Sequence, residues 1–186
     1  RDFLKRCSLE FPHVIYVAGN HEFYHGRWKA SLDHLREESN KFPNVYFLEN
    51  DIKEIDGVSF IGATLWTDCN KGDPLTLHAL SDMMNDFRIV TNANRKLTRK
   101  VPIYKYDEAG NLVRDSNNQP VVDHQGFMEY TATFSPEDAV EEHRKSLDYI
   151  KTVYADTPPW MNVVIVGHHT PSHTSCPPRY KDDQIM

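Results

Sequence analysis

The sequence predicts an α/β fold, and three observations carry that prediction. Two compact apolar runs, residues 13–18 and 161–166, are rich in β-branched residues and too short for helices, so they read as buried strands. Stretches with apolar residues three and four apart lie between them, as amphipathic helices require. The order is strand, helix, strand, hairpin, long helix, strand, which is the pattern of a layered α/β domain.

Each element follows from its local chemistry. Residues 2–9 place Phe3, Leu4 and Cys7 on one helical face, and Pro12 closes that helix. The first strand, 13–18, runs straight into Gly19-Asn20-His21-Glu22. From Arg27 to Asn40, Trp28, Ser31, Leu32 and Leu35 recur at helical spacing; Phe42-Pro43-Asn44 breaks the helix, and 45–48 is a short strand. Residues 51–55 and 58–65 flank Asp56-Gly57, a pair suited to a tight hairpin turn, and the second arm leads into Trp66-Thr67-Asp68. Residues 75–87 read as a helix with Met83, Met84 and Phe87 on its apolar side.

Over 91–130, Thr, Asn, Asp and Gln are common, and Gly110-Asn111 marks a turn. Residues 101–106 and 112–114 are candidate arms of a small hairpin. A segment of about 40 residues with few aliphatics holds no core of its own. We therefore expect an irregular excursion inserted into a single domain spanning 1–186. Ser135-Pro136-Glu137-Asp138 is a helix start: Ser caps, Pro fits the first turn, and the acids suit the positive end. Ala139, Val140, His143, Leu147, Ile150 and Tyr154 extend that helix over 136–154. Pro158-Pro159 closes the link to the last strand, which ends at Gly167-His168-His169.

Composition limits the functions open to the chain. Its 186 residues can bury a core, and 39% apolar content with 9 Phe, 9 Tyr and 3 Trp is that of a globular protein. Lys and Arg number 21 against 27 Asp and Glu, a net charge of −6. That balance disfavours non-specific binding to long nucleic acid or to anionic membrane, although a bound metal reverses the field locally. No apolar run approaches the roughly 20 residues of a membrane helix. Cys7, Cys69 and Cys176 are odd in number and form no CxxC pair. They argue against a disulfide scaffold or a cysteine zinc site and point to a reducing, cytoplasmic setting. The first residue is Arg1 rather than Met, so we expect further sequence upstream.

The chemistry concentrates in two loops. Gly19-Asn20-His21-Glu22 and Gly167-His168-His169 each follow an apolar strand. In open α/β folds, ligands bind beyond the carboxyl ends of the strands, so two loops far apart in sequence can meet there. An Asn carbonyl oxygen and a His nitrogen suit a divalent metal, and an unligated His can donate a proton to a leaving group. No Gly-x-x-x-x-Gly-Lys loop is present to support ATP-fuelled transfer.

The two blocks resemble signature motifs of the calcineurin-like metallophosphoesterases, in the same order and after equivalent strands. Tyr24, Gly62-Ala63-Thr64-Leu65-Trp66-Thr67-Asp68, Met84-Asn85-Asp86-Phe87-Arg88 and Thr170-Pro171-Ser172 resemble a bacterial and phage branch of that family. The resemblance covers most of the chain. It implies a four-layer fold, a two-sheet sandwich flanked by helices, with two divalent metals (manganese, iron, zinc or nickel). Its implied activity is hydrolysis of a phosphate mono- or diester by a metal-activated hydroxide. Carried over by position, Asn20 and His168 would be ligands of the second metal, and His21 the catalytic proton donor. His169 lies one place beyond the ligand.

The family also carries Asp-x-His and Gly-Asp-x-x blocks before the first loop and a Gly-His-x-His block after the second. Neither of the first two lies within residues 1–18, and no Gly-His-x-His block follows the second loop. The resemblance therefore implies a copy incomplete at both ends, inactive by itself and binding one metal weakly or none, within an active parent. The alternative is a catalytically silent binding or structural module derived from the fold. A small phosphorylated substrate is the implied partner; the acidic total disfavours nucleic acid.

Other residues have two readings each. Trp66 and Asp68 either line the cleft or pack and cap a turn. Asn85, Asp86 and Arg88 either reach a substrate, where Arg suits a phosphate oxygen, or coat a helix surface. His143 reads as a satisfied histidine at the core or cleft edge rather than as a ligand. His173 and Arg179 are weaker phosphate candidates, and Cys176 has no His partner that would make it a nucleophile.

Overall fold

The computed structural model describes residues 2–170, 172–175 and 177–178. It divides into two compact units, 1–92 with 133–186, and 93–132.

In the first unit, helix α1 (Asp2–Glu10) precedes strand β1 (Val14–Tyr16). A short 3-10 helix (Asn20–Phe23) and helix α2 (Trp28–Ser39) connect β1 to β2 (Val45–Phe47), which pairs with it in parallel, Val14 opposite Val45. Strands β3 (Asp51–Ile55) and β4 (Val58–Ala63) form the expected hairpin. Asp56 and Gly57 both adopt positive φ, 49° and 77°, as a tight two-residue turn requires. Helix α6 (Pro136–Asp156) then carries the chain to β7 (Asn162–Gly167), which lies parallel to β4. The unit thus holds a two-stranded sheet and a three-stranded sheet ordered β3-β4-β7, with helices between the strands. This is a mixed α/β architecture.

The start of α6 matches its chemistry. Ser135 Oγ accepts from Asp138 N at 3.3 Å, Asp138 Oδ2 accepts from Ser135 N at 2.9 Å, and Pro136 fills the first turn. The core is dominated by aromatic rings. Phe23 and Trp28 have centroids 4.3 Å apart, and Phe134 stands 4.8 Å from both Trp28 and Trp66. Ala18, Phe47, Leu80, Phe87, Val90, Ala139 and Val140 complete the cluster.

Three sequence expectations are corrected. First, the apolar run of β7 is not buried: Ile165 is 52% and Val164 41% exposed, and β1 is only half-buried. Among the described residues β7 pairs with β4 alone and both of its faces stay partly exposed, so its β-branched content records strand preference rather than two covered faces. Second, the helix expected over 75–87 is two helices, α4 (Pro74–Met83) and α5 (Asp86–Ile89). Met84 between them is extended, with φ −96° and ψ 131°. Met83 and Met84 face solvent, whereas Phe87 enters the core. Third, the segment expected to be irregular is a regular two-stranded ribbon of β5 (Thr91–Tyr104) and β6 (Val122–Thr133).

That ribbon makes up most of the second unit. Its Thr, Val, Ile and Tyr content favours strands, which the abundance of polar residues masked. Two side-chain turns shape its tip. Asp107 accepts from Ala109 N and Asn111 N, and Asp115 from Asn117 N and Gln119 N. Lys96 Nζ donates to Thr131 Oγ1 across the strands, and the Arg99 guanidinium lies 5.8 Å over the Tyr130 ring.

Among the described residues no helix is long and apolar enough to cross a membrane. Cys176 and Arg179 lie outside the described residues, as does the side chain of His173.

Candidate functional site

The first loop is shaped by Gly19 and Glu22. After β1, Ala18 is fully buried and the chain turns at Gly19 into the Asn20–Phe23 helix. Glu22 folds back: its Oε2 accepts from Gly19 N at 2.9 Å, and its Oε1 accepts from the Tyr16 hydroxyl at 3.3 Å. Burial, reinforced by the Glu22 charge, pushes the Tyr16 phenol far above its ordinary value, so Tyr16 stays a donor. Phe23 is wholly buried and anchors the turn, which leaves His21 on the outside.

The second loop hangs on Thr64, the residue just after β4. The Thr64 carbonyl accepts from the backbone N–H groups of His168 (3.3 Å) and His169 (3.4 Å), and from His169 Nδ1 at 3.3 Å. Thr64 is itself held by Glu49, whose Oε2 accepts from Thr64 N at 2.9 Å and from its Oγ1 at 2.6 Å. Burial dominates at Glu49 and raises its carboxyl above the ordinary value, against the two Thr64 hydrogen bonds, which lower it.

The loops meet. His168 Nε2 lies 3.0 Å from Asn20 Oδ1, across 148 residues of sequence. The Gly19 backbone touches the His168 ring: a Cβ at 19 would stand 2.8 Å from its Cε1. His169 stacks on Trp66 with centroids 5.1 Å apart and stands edge-on to His168 at 5.0 Å. Burial, then the neighbouring His168 and His143, hold His169 below its ordinary value, against the opposing pull of Thr64 and Asp86. Its Nδ1–H is committed to the Thr64 carbonyl.

The structure brings most of the expected residues together. Asn20, His168, His169 and Trp66 form one group, with His21 on the rim. His143, on α6, donates from Nδ1 to the Trp66 carbonyl, as a satisfied cleft-edge histidine does. Among the described residues, no hydrogen bond joins Asp68, Asn85 or Arg88 to this group. The Asp68 carbonyl closes the one-turn helix α3 (Cys69–Gly72) by accepting from Gly72 N. Asn85, which precedes α5, and Arg88 within it are both exposed. Two residues matter more than the sequence suggested. Glu49 carries no motif and follows β2 in a stretch that reads as structural. Asp86, one of the three candidates of its motif, is the buried one of them, 2% exposed.

Asn20 Oδ1 and His168 Nε2, joined here by a hydrogen bond, are donor types that a divalent metal accepts. Cis donors with bonds of about 2.1 Å to a divalent ion lie about 3.0 Å apart, and the Asn20–His168 separation matches that spacing. Among the described residues, no group of three or more His, Cys, Asp or Glu side chains is gathered for a metal. The described residues therefore offer two neutral donors and not a complete site.

No family model and no solved structure matches the chain. Among curated proteins, it is similar to the uncharacterized protein L509 of Acanthamoeba polyphaga mimivirus, with 31% identity over 105 residues. The match covers 53% of this chain and 36% of that protein.

Proposed function

We propose that this chain carries residues of a metal-dependent phosphoesterase site, formed where the loops after β1 and β7 meet, within a two-sheet sandwich flanked by helices. The observation that carries the reading is the approach of Asn20 Oδ1 to His168 Nε2, two donors at the spacing of neighbouring metal ligands. The resemblance of both loops to metallophosphoesterase motifs supports it. Bound divalent metals would supply an activated hydroxide and neutralise phosphate charge.

The chain's own residues have separable tasks. Asn20 and His168 would hold the metal, and Glu49, through Thr64, keeps the His168 loop in place. His21 stands exposed on the rim, where it can give a proton to the leaving oxygen. Trp66, 2% exposed, closes the floor against water beside His169. A small phosphate mono- or diester is the substrate class. The incomplete donor set favours a second reading, a catalytically silent binding module.

One experiment separates the two. The full gene product is assayed with manganese against bis(p-nitrophenyl) phosphate and p-nitrophenyl phosphate, beside its His21→Ala variant. Turnover that falls about 100-fold or more in the variant, with metal content kept, supports the phosphoesterase. No turnover of either ester by the unaltered protein rejects it in favour of the binding module.

A further inference from the structure

We infer that Asp86 is a positioning residue, acting through Tyr24 to hold His21 at the mouth of the site. Its catalytic consequence rests on the phosphoesterase reading above; the positioning itself rests on geometry alone.

Asp86 opens α5 and is 2% exposed, beside the apolar Phe87. A carboxylate in such surroundings is disfavoured unless its oxygens are bonded. Only one is: Oδ2 accepts from the Tyr24 hydroxyl at 3.1 Å, while Oδ1 has no partner among the described residues. Packing alone would be served better by an apolar side chain, so the buried carboxylate points to a task outside the core.

Tyr24 shows what that task is. Its ring lies 4.5 Å from the His21 ring, centroid to centroid, at an interplanar angle of 33°. One phenol thus lies against the ring of the expected proton donor, and Asp86 holds that phenol from the other end. The backbone repeats the same connection. His25 N donates to Ile89 O at 3.1 Å, and Thr91 N donates to Gly26 O at 3.0 Å. These bonds stitch α5 and the residues after it to the segment following the 3-10 helix. They would survive a change at Asp86, so a conservative variant should loosen Tyr24 without unfolding the loop.

The test uses Tyr24→Phe, Asp86→Asn and the double variant in the full gene product. Two quantities are read: the ring-proton NMR shifts of His21, which the Tyr24 ring current displaces, and kcat and KM for bis(p-nitrophenyl) phosphate with manganese. Both single variants should move the His21 resonances toward those of a free histidine. Each should lower kcat about tenfold with KM little changed, since misplaced catalytic groups lose rate rather than binding. The double variant should be no worse than the singles, because both act along one path. Unchanged His21 shifts in both singles, or losses that multiply in the double, overturn the proposal. If the unaltered protein turns over no ester, the phosphoesterase reading fails, and the His21 shifts still decide whether Asp86 positions that ring.

Discussion

Gly19 and His168 touch so closely that no side chain fits between them: a Cβ on Gly19 would stand 2.8 Å from His168 Cε1 and 3.0 Å from Nδ1. The glycine before the first loop is thus a condition for the second loop to reach Asn20. Gly19→Ala should push the His168 ring away and weaken manganese binding to the full gene product by about tenfold or more, the scale seen when a ligand is misoriented. Titration calorimetry reads it directly. An unchanged affinity would mean that His168 does not need this approach.

Glu49 makes a second, pH-dependent prediction. Glu49→Ala leaves the fully buried Thr64 without its acceptor and should destabilise the fold by about 1–3 kcal/mol. Glu49→Gln keeps an acceptor and should lose less. The raised carboxyl binds its proton more tightly folded than unfolded, chiefly through burial, with Glu142 adding to the shift and Arg36 opposing it. Its contribution to stability is therefore complete below the ordinary carboxylate value of 4.5 and declines as pH rises through the higher folded value. Chemical denaturation of the unaltered protein and the Gln variant across this window should show that decline only in the former.

The aromatic cluster gives the largest expected stability loss. Phe134 is 1% exposed and packs on Trp28, Trp66 and Phe87. Phe134→Ala should cost about 3–5 kcal/mol, read by urea denaturation. It should also disturb His169 through Trp66, on which that ring stacks.

Ser135→Ala removes the cap of α6. The loss should be about 1 kcal/mol, with Asp138 left as half of the capping box. A loss within error in thermal unfolding would show that Pro136 and the acidic first turn suffice without the Ser hydroxyl.

What was legible in the sequence was whatever depends on local pattern. Ser135-Pro136 announced α6 because capping is a property of four consecutive residues. Asp56-Gly57 announced the β3-β4 hairpin for the same reason. The meeting of Asn20 with His168 was legible only as a general rule about strand ends, made specific by the family resemblance. Other features depend on what lies opposite. Val164 and Ile165 look buried by type, but their exposure is decided by which strands neighbour β7. The ribbon of β5 and β6 was obscured because cross-strand pairing, not burial, forms it, and polar β-branched residues serve there as well as apolar ones. Glu49 gave no signal, since its role is set by Thr64 lying opposite it in the fold. Met83 and Met84 misled because the chain breaks at Met84 and turns both side chains outward.

The central claim is that Asn20 and His168 share a divalent metal, and the most direct measurement is the manganese affinity of the full gene product and of its Asn20→Ala and His168→Ala variants. The account predicts saturable binding in the unaltered protein and a loss of about tenfold or more in each variant, with His21→Ala close to the unaltered value. Manganese binding that is absent, or indifferent to both substitutions, would contradict it.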